Sequence, residues 1–476
     1  MMLTQGSSAS LRGFLHLKPN CSILVRATFG TSLGGTTLSG KSLILGSFPD
    51  PKFQSCRSLT TSPISFARLP PTNRRRVEPA STSISIEDGI PLVNPGRPGF
   101  IPPTSSKPSI SLAVLFFLGF TTLSFTGAAY YSLTTTSHIA SEVRASQGVF
   151  GNLGSFFNSS STNSNDSSKI WGVGVTEKSL MVAHKHETAT KLGLRMEWLV
   201  GWCNQLGLPK GLTEFVGRGY IICAERYLDL SPSKQVVLPI VALNTIVFGA
   251  WTIASARRGG GGGLWRFMNN HFIHRPGCNK TYTMLTSVFS HQTFLHYLFN
   301  NVALWSIGGS AMIVCTHINS CKPVIPEASL TPQYLTFFAT AGVFAATVSH
   351  IVSAIRFRRV VKLTSLSTAK QTVGRQGSLG ASGAVYGALV ISALAFPDAQ
   401  LGIIFLPFIT FPIRVGVAGL MAADIAGILL RWRMFDHWAH LGGAAFGFIY
   451  WYLGAKSWEA LKTLLIKRVK EGEYND

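Results

Sequence analysis

Four stretches of this chain set polar side chains inside otherwise apolar sequence. They are HQTFLHYLFNN (291–301), GASGAVYG (380–387), an apolar run carrying Asp424, and FDHWAHLGGAAFG (435–447). Ionisable groups in hydrocarbon cost about 2.5–3.5 kcal/mol each on insertion scales, so those that persist mark function. A serine becomes a nucleophile when a histidine takes its proton and donors stabilise the tetrahedral oxyanion. Ser382 is the candidate nucleophile and His440 the candidate base. His296 and Asn300 lie four residues apart and share a helical face, which makes them candidate oxyanion donors, with the backbone N–H of Ser382 at a helix start as a further donor. Tyr386 stands four residues after Ser382, and Gly380 and Gly383 flank the serine as supporting residues. The chemistry is acyl transfer inside a membrane by a Ser-His dyad. No metal-ligand pattern accompanies it.

Neighbouring polar residues are read more plainly. His291, Asn301 and His437 are structural or interfacial. Asp436, outside the apolar run, is read as solvated rather than as a third catalytic member, and Asp424 as a buried hydrogen-bonding residue rather than a catalytic one. On its helix, His440 lines up with Gly443, Ala444 and Gly447. Such a small-residue face lets helix backbones approach closely, and Gly383 with Gly387 offer the same on the serine's helix.

The elements that must position these groups are membrane helices. The chain has 476 residues, 46% hydrophobic and 13% charged, about half the charged fraction of an ordinary soluble domain. Apolar segments at 109–133, 236–254, 289–312, 333–355, 381–396, 413–430 and 437–454 give one helix followed by six, an all-α polytopic membrane protein. In a bundle that winds back and forth, the second, fourth and sixth core helices begin on one face, where His296, Asn300, Ser382 and His440 can converge.

The net charge of +22 does not mark nucleic-acid binding, because the basic residues form no aromatic-interleaved patch. Many occupy an Arg- and Ser-rich, acid-poor leader without a compact apolar core, as organellar import peptides do. Residues 1–78 are therefore expected to be a mitochondrial transit peptide, 79–108 a disordered Pro/Ser-rich linker, and 134–235 a loop with the tract NSSSTNSNDSS and two interfacial helices. Residues 456–476 are expected to be a basic tail. In the core, odd-numbered loops hold Arg257, Arg258, Arg266, Arg275, Lys280, the 356–375 cluster, Arg431 and Arg433, against Lys322 and Arg414 in even ones. The positive-inside bias assigns the odd loops, and the mouth of the serine site, to the matrix. Seven scattered cysteines without a CxxC pair read as free thiols.

GASGAVYG, the HxxxN pattern of HYLFN and AHLGGAAFG resemble the three signatures of rhomboid intramembrane serine proteases, and LWRF is similar to the Trp-Arg of their first loop. The extra preceding helix, the leader and the wording GRQGSLGASGA, IIFLP and FDHWAHLGGA resemble the mitochondrial, presenilin-associated branch. The resemblance covers about 236–455. It implies Ser382 as nucleophile, His440 as general base, His296 and Asn300 as the oxyanion pair, and Tyr386 as support for the histidine ring. It also implies that 413–430 is the side where a substrate helix enters, and that no cofactor is used. Its implied partners are the lipid bilayer and single-spanning inner-membrane proteins of the dynamin-like GTPase or cytochrome c peroxidase type. Other function classes fit less well. A helix-diverting protein without proteolysis would be marked by loss of the Ser or the His, an esterase elbow GxSxG fails at Ala384, and a transporter would need paired repeats.

Overall fold

The computed structural model describes residues 107–157, 170–172, 175–256, 262–309, 325–403, 406–432 and 435–473. The leader, most of the linker, the Ser/Asn-rich tract and the first three residues of the five-glycine run lie outside the described residues. Among the described residues the fold is helical throughout, apart from one small hairpin.

Helix α1 (Ile110–Phe157) runs well past the expected end at 133, because no Gly or Pro interrupts 128–147. The expected interfacial pieces are α2 (Glu177–Gln205) and α3 (Lys210–Leu228), which pack as a hairpin with Tyr220 donating to the Leu192 carbonyl. Thr176 starts α2 through a capping box with Ser179. The core follows as α4 (Pro232–Ala256), α5 (Gly263–His271), α6 (Phe294–Ala303), α7 (Thr331–Leu363), α8 (Leu366–Thr372), α9 (Ser382–Ala395), α10 (Ile413–Leu429), α11 (His437–Ile449) and α12 (Ala455–Glu473). A π-turn at Leu304–Gly308 extends α6, and a second at Tyr450–Gly454 joins α11 to α12. Ile110–Ser146, Pro232–Ala256 and Thr331–Leu363 are each long and apolar enough to cross a membrane, and α9 is a shorter apolar helix.

Two features add to the expectations from sequence. The basic tail expected at 456–476 is helical to residue 473, as part of α12. Its heptad-like spacing puts Ala455, Trp458, Glu459 and Lys462 on one buried face, where Lys462 meets Glu327 (2.6 Å), Glu459 (2.8 Å) and the Ile325 carbonyl (2.8 Å). Trp458 and Ser132 of α1 also donate to Glu327, which ties α1 to α12. The stretch before α10 is an apolar antiparallel hairpin, β1 (Gln400–Ile403) with β2 (Leu406–Pro412), in the register Leu401↔Phe411 and Gly402↔Thr410. Pro412, which has no N–H to give the ladder, ends it and starts the next helix.

At the centre stands α9, ten of whose residues, Gly383–Ser392, are buried against α4, α7 and α11. Its closeness to α11 follows from glycine. A Cβ at Gly387 would lie 3.2 Å from the Gly443 carbonyl, and one at Gly447 2.6 Å from the Gly387 carbonyl. The starts of α9 and α11 share a face with the 272–293 loop. That loop holds the start of α1 as well, since Asn279 accepts from the Ser109 N–H at 3.2 Å.

Candidate active site

Ser382 is the first residue of α9, where the opening backbone N–H groups have no helical acceptor. The segment leading to it is held from the 272–293 loop. His274 and Ser378 exchange both backbone hydrogen bonds (3.0 and 2.9 Å), Gly380 donates to the Ser287 carbonyl (2.9 Å), and the Ala381 N–H donates to His291 Nε2 (3.3 Å). Gly380 adopts φ +125°, and any Cβ there would strike the His296 ring, 2.5 Å from Cε1 and 2.8 Å from Nε2. Glycine is thus required at 380 by both backbone and space.

His440 lies one turn into α11. That helix begins at Asp436, whose Oδ1 caps Ala439 N (3.1 Å) and whose Oδ2 accepts from Ser349 Oγ (2.6 Å). Asp436 is therefore a structural cap bound to α7, not a solvated charge. The His440 ring is stacked on Tyr386 with centroids 4.8 Å apart and planes 11° from parallel, and Phe435 lies 6.2 Å away on α11's approach. Its Nε2 stands 2.9 Å from Ser382 Oγ.

Behind the imidazole is a group that sequence reasoning kept apart from the chemistry. Asp424 of α10, with its side chain 6% exposed, presents Oδ1 to both His440 Nδ1 (3.0 Å) and His437 Nδ1 (2.6 Å), while Tyr386 OH donates to its Oδ2. A carboxylate only accepts, so both Nδ1 atoms carry their hydrogens toward it. Neutral His440 then has its Nε2 lone pair facing Ser382 Oγ, the arrangement needed to receive the serine proton. Three donors on one buried carboxylate also offset its loss of water. His437 is buried on Asp424 rather than interfacial, and its ring lies against Gly427. The one signal in the sequence for Asp424 was a charge in an apolar helix. Its partners, 13 and 16 residues on, could not be read from spacing.

His296 reaches the site by packing on Gly380, and it meets His291 edge to face at 5.0 Å. Asn300 turns one amide hydrogen back to the His296 carbonyl at 2.8 Å, leaving a second hydrogen uncommitted by that bond. Among the described residues, neither side chain hydrogen-bonds Ser382 itself. Asn301 is structural, accepting from Asn244 of α4 at 3.0 Å. Asp424, His437 and His440 are also the one trio of potential metal ligands among the described residues, with donor atoms within 4.8 Å of one another.

The family model for the rhomboid domain matches residues 279–457. This part of the helical core thus resembles a rhomboid domain. Presenilin-associated rhomboid-like protein A, mitochondrial, of Danio rerio is 32% identical over 227 residues, 47% of this chain and 49% of that one. The Homo sapiens presenilin-associated rhomboid-like protein, mitochondrial, matches to the same extent. Rhomboid protein 1, mitochondrial, of Saccharomyces cerevisiae (strain ATCC 204508 / S288c) is 28% identical over 226 residues, 46% of this chain and 54% of that one. The chain spans about half the length of these curated relatives. No solved structure matches it. The matched region thus resembles proteins named as mitochondrial rhomboids, and three of the described helices are long and apolar enough to cross a membrane.

Proposed function

We propose that this chain is a rhomboid serine-type endopeptidase of the mitochondrial inner membrane that cleaves transmembrane segments of single-spanning proteins. The observation that carries the reading is the 2.9 Å contact between Ser382 Oγ and His440 Nε2, in line with Asp424 behind the ring. His440 takes the Ser382 proton as Oγ attacks the scissile carbonyl. The backbone N–H of Ser382, His296 and the second amide hydrogen of Asn300 stabilise the oxyanion. His440 then protonates the departing amine, leaving an acyl-serine. A water activated by the same imidazole hydrolyses it, returning a carboxylate product and free serine. Asp424 and Tyr386 act through His440, the first fixing its tautomer and the second its plane. Helix α10, which carries Asp424, is the proposed entry side for substrate, and residues 1–78 are the proposed import leader.

The test is cleavage of a single-spanning model substrate in liposomes. Wild type yields two fragments, and Ser382→Ala and His440→Ala yield none above background. Equal product from Ser382→Ala would end the peptidase reading.

A further inference from the structure

A second imidazole on the catalytic carboxylate has no part in the mechanism above. His440 needs one acceptor at Nδ1, yet His437 Nδ1 lies closer to the same Asp424 oxygen, 2.6 against 3.0 Å. The place is built for it. At Gly427, on the facing side of α10, a Cβ would collide with His437 Nε2 and Cε1 and stand 2.8 Å from Cδ2, so the ring depends on glycine there. His437 Nε2 is buried and has no hydrogen-bond partner among the described residues.

Two imidazole nitrogens and a carboxylate oxygen within 4.8 Å of one another form the donor set of a divalent transition metal, with a fourth position for water. Tetrahedral zinc, at about 2.0–2.2 Å from each ligand, sets those ligands about 3.3 Å apart. The two Oδ1–Nδ1 pairs open by about 0.7 and 0.3 Å from their present 2.6 and 3.0 Å, and the two Nδ1 atoms, within 4.8 Å of each other, come to the same spacing. The outer contacts also exist, since Tyr386 OH holds the other carboxylate oxygen and Ser382 Oγ meets the other nitrogen of His440.

We infer that Asp424, His437 and His440 form an inhibitory binding site for a divalent transition-metal ion of the zinc type. Binding through Nδ1 moves each imidazole's single proton to Nε2, with no net proton release. In that tautomer His440 Nε2 donates toward Ser382 Oγ and cannot accept its proton, so metal and catalysis exclude each other. The inhibitory consequence rests on the peptidase reading, whereas the binding does not.

The test uses the full, untagged chain in detergent, with cobalt(II) as the optical probe and zinc as its competitor. In Ser382→Ala, which keeps all three ligands, cobalt gives a saturable visible band at one ion per chain that zinc abolishes. In His437→Asn and His437→Gln, with folding checked by circular dichroism, affinity falls at least about tenfold, the loss expected even for outer-shell changes. Wild-type cleavage falls in step with zinc occupancy and returns on chelation. Absence of a saturable cobalt signal in wild type and Ser382→Ala overturns the site without touching the peptidase reading, as does undiminished affinity in folded His437 variants. Full cleavage at saturating zinc overturns the inhibition. A metal-binding chain that cleaves nothing after chelation overturns the peptidase reading alone.

Discussion

Asp424→Asn isolates what the carboxylate does for the base. Asparagine keeps the shape but replaces one oxygen by an NH2 group. If the amide oxygen faces the two imidazoles, as Oδ1 does now at 2.6 and 3.0 Å, the NH2 must face Tyr386 OH, which donates to Oδ2 today. The His440 tautomer then survives, and what is lost is the charge-assisted part of its hydrogen bond, about 1–1.5 kcal/mol, the excess of a bond to a charged group over a neutral one. At 1.36 kcal/mol per decade that is a fall in kcat of about 5- to 13-fold. If instead the NH2 faces the imidazoles, His440 is driven to the Nε2–H form and the fall approaches the roughly 10,000-fold seen when a triad histidine is held in the wrong tautomer. Tyr386 decides between them, because its hydroxyl can accept as well as donate only if it turns. Removing it in Tyr386→Phe/Asp424→Asn leaves the amide free to keep its oxygen on the histidines. Kinetics on a reconstituted membrane substrate should therefore show a kcat loss with KM little changed, and no worse a loss in the double variant than the product of the single ones. A kcat within twofold of wild type for folded Asp424→Asn would refute the view that this carboxylate orients the base.

Three other outcomes follow from the geometry. His296→Ala should lower kcat by about 100- to 1,000-fold, the usual cost of an oxyanion donor, while leaving thermal stability within reach of wild type; unchanged turnover would remove His296 from the hole. Gly447→Val sets a Cβ 2.6 Å from the Gly387 carbonyl, backbone that cannot step aside, so unfolding in detergent should show about 1–3 kcal/mol of lost stability; a neutral result would mean that α9 and α11 are not in backbone contact. His274, in the loop outside the spanning helices, has its pKa lowered to about 3 by burial first, then by His350 and Arg275. The unfolded chain therefore binds the extra proton below about 6.5, so stability is complete above that pH and is lost toward about 3, at up to about 1.4 kcal/mol per pH unit. His274→Asn should flatten this acid limb, and an unchanged slope would show that another group governs it.

How much of this the sequence disclosed depends on whether the partner was local. Helix periodicity put Ser382 with Tyr386 and His440 with Gly443 and Gly447, because residues three, four and seven apart share a face whatever the tertiary structure. The starts of α9 and α11 were legible for the same reason. Asp424 was visible as a costly charge, but its bonds to His437, His440 and Tyr386 join three helices, and nothing in the spacing of 424 and 440 fixes how α10 is rotated. Asp436 was misread because a cap on α11 and a bond to Ser349, 87 residues earlier, look in sequence like one more loop charge. In the tail, composition disclosed the charge but not its partners: Lys462 is fully buried, between Glu327 and Glu459.

The shortness of α9 ties the chemistry to the bilayer. Its residues Ser382–Ala395, at 1.5 Å each, make about 21 Å against a hydrocarbon core of about 30 Å. With Ala395 at one interface, Ser382 stops about 9 Å short of the other. Helical backbone does not reach the surface there, so the segment before Ser382 must satisfy its polar groups by other means. It does so through the His274–Ser378 pair, the Ser287 carbonyl and His291. The same necessity explains the polar crowding behind the serine. An isolated imidazole and carboxylate at this depth would each be unfavourable, but Asp424, His437, His440 and Tyr386 satisfy one another. A water-dependent site can therefore sit below the membrane surface only because its partners arrive from three separate helices. On this reasoning, lengthening α9 by a turn at its C-terminal end, with the active-site contacts intact, should move cleavage along a substrate helix by about one turn, and an unmoved cut site would show that depth is set elsewhere.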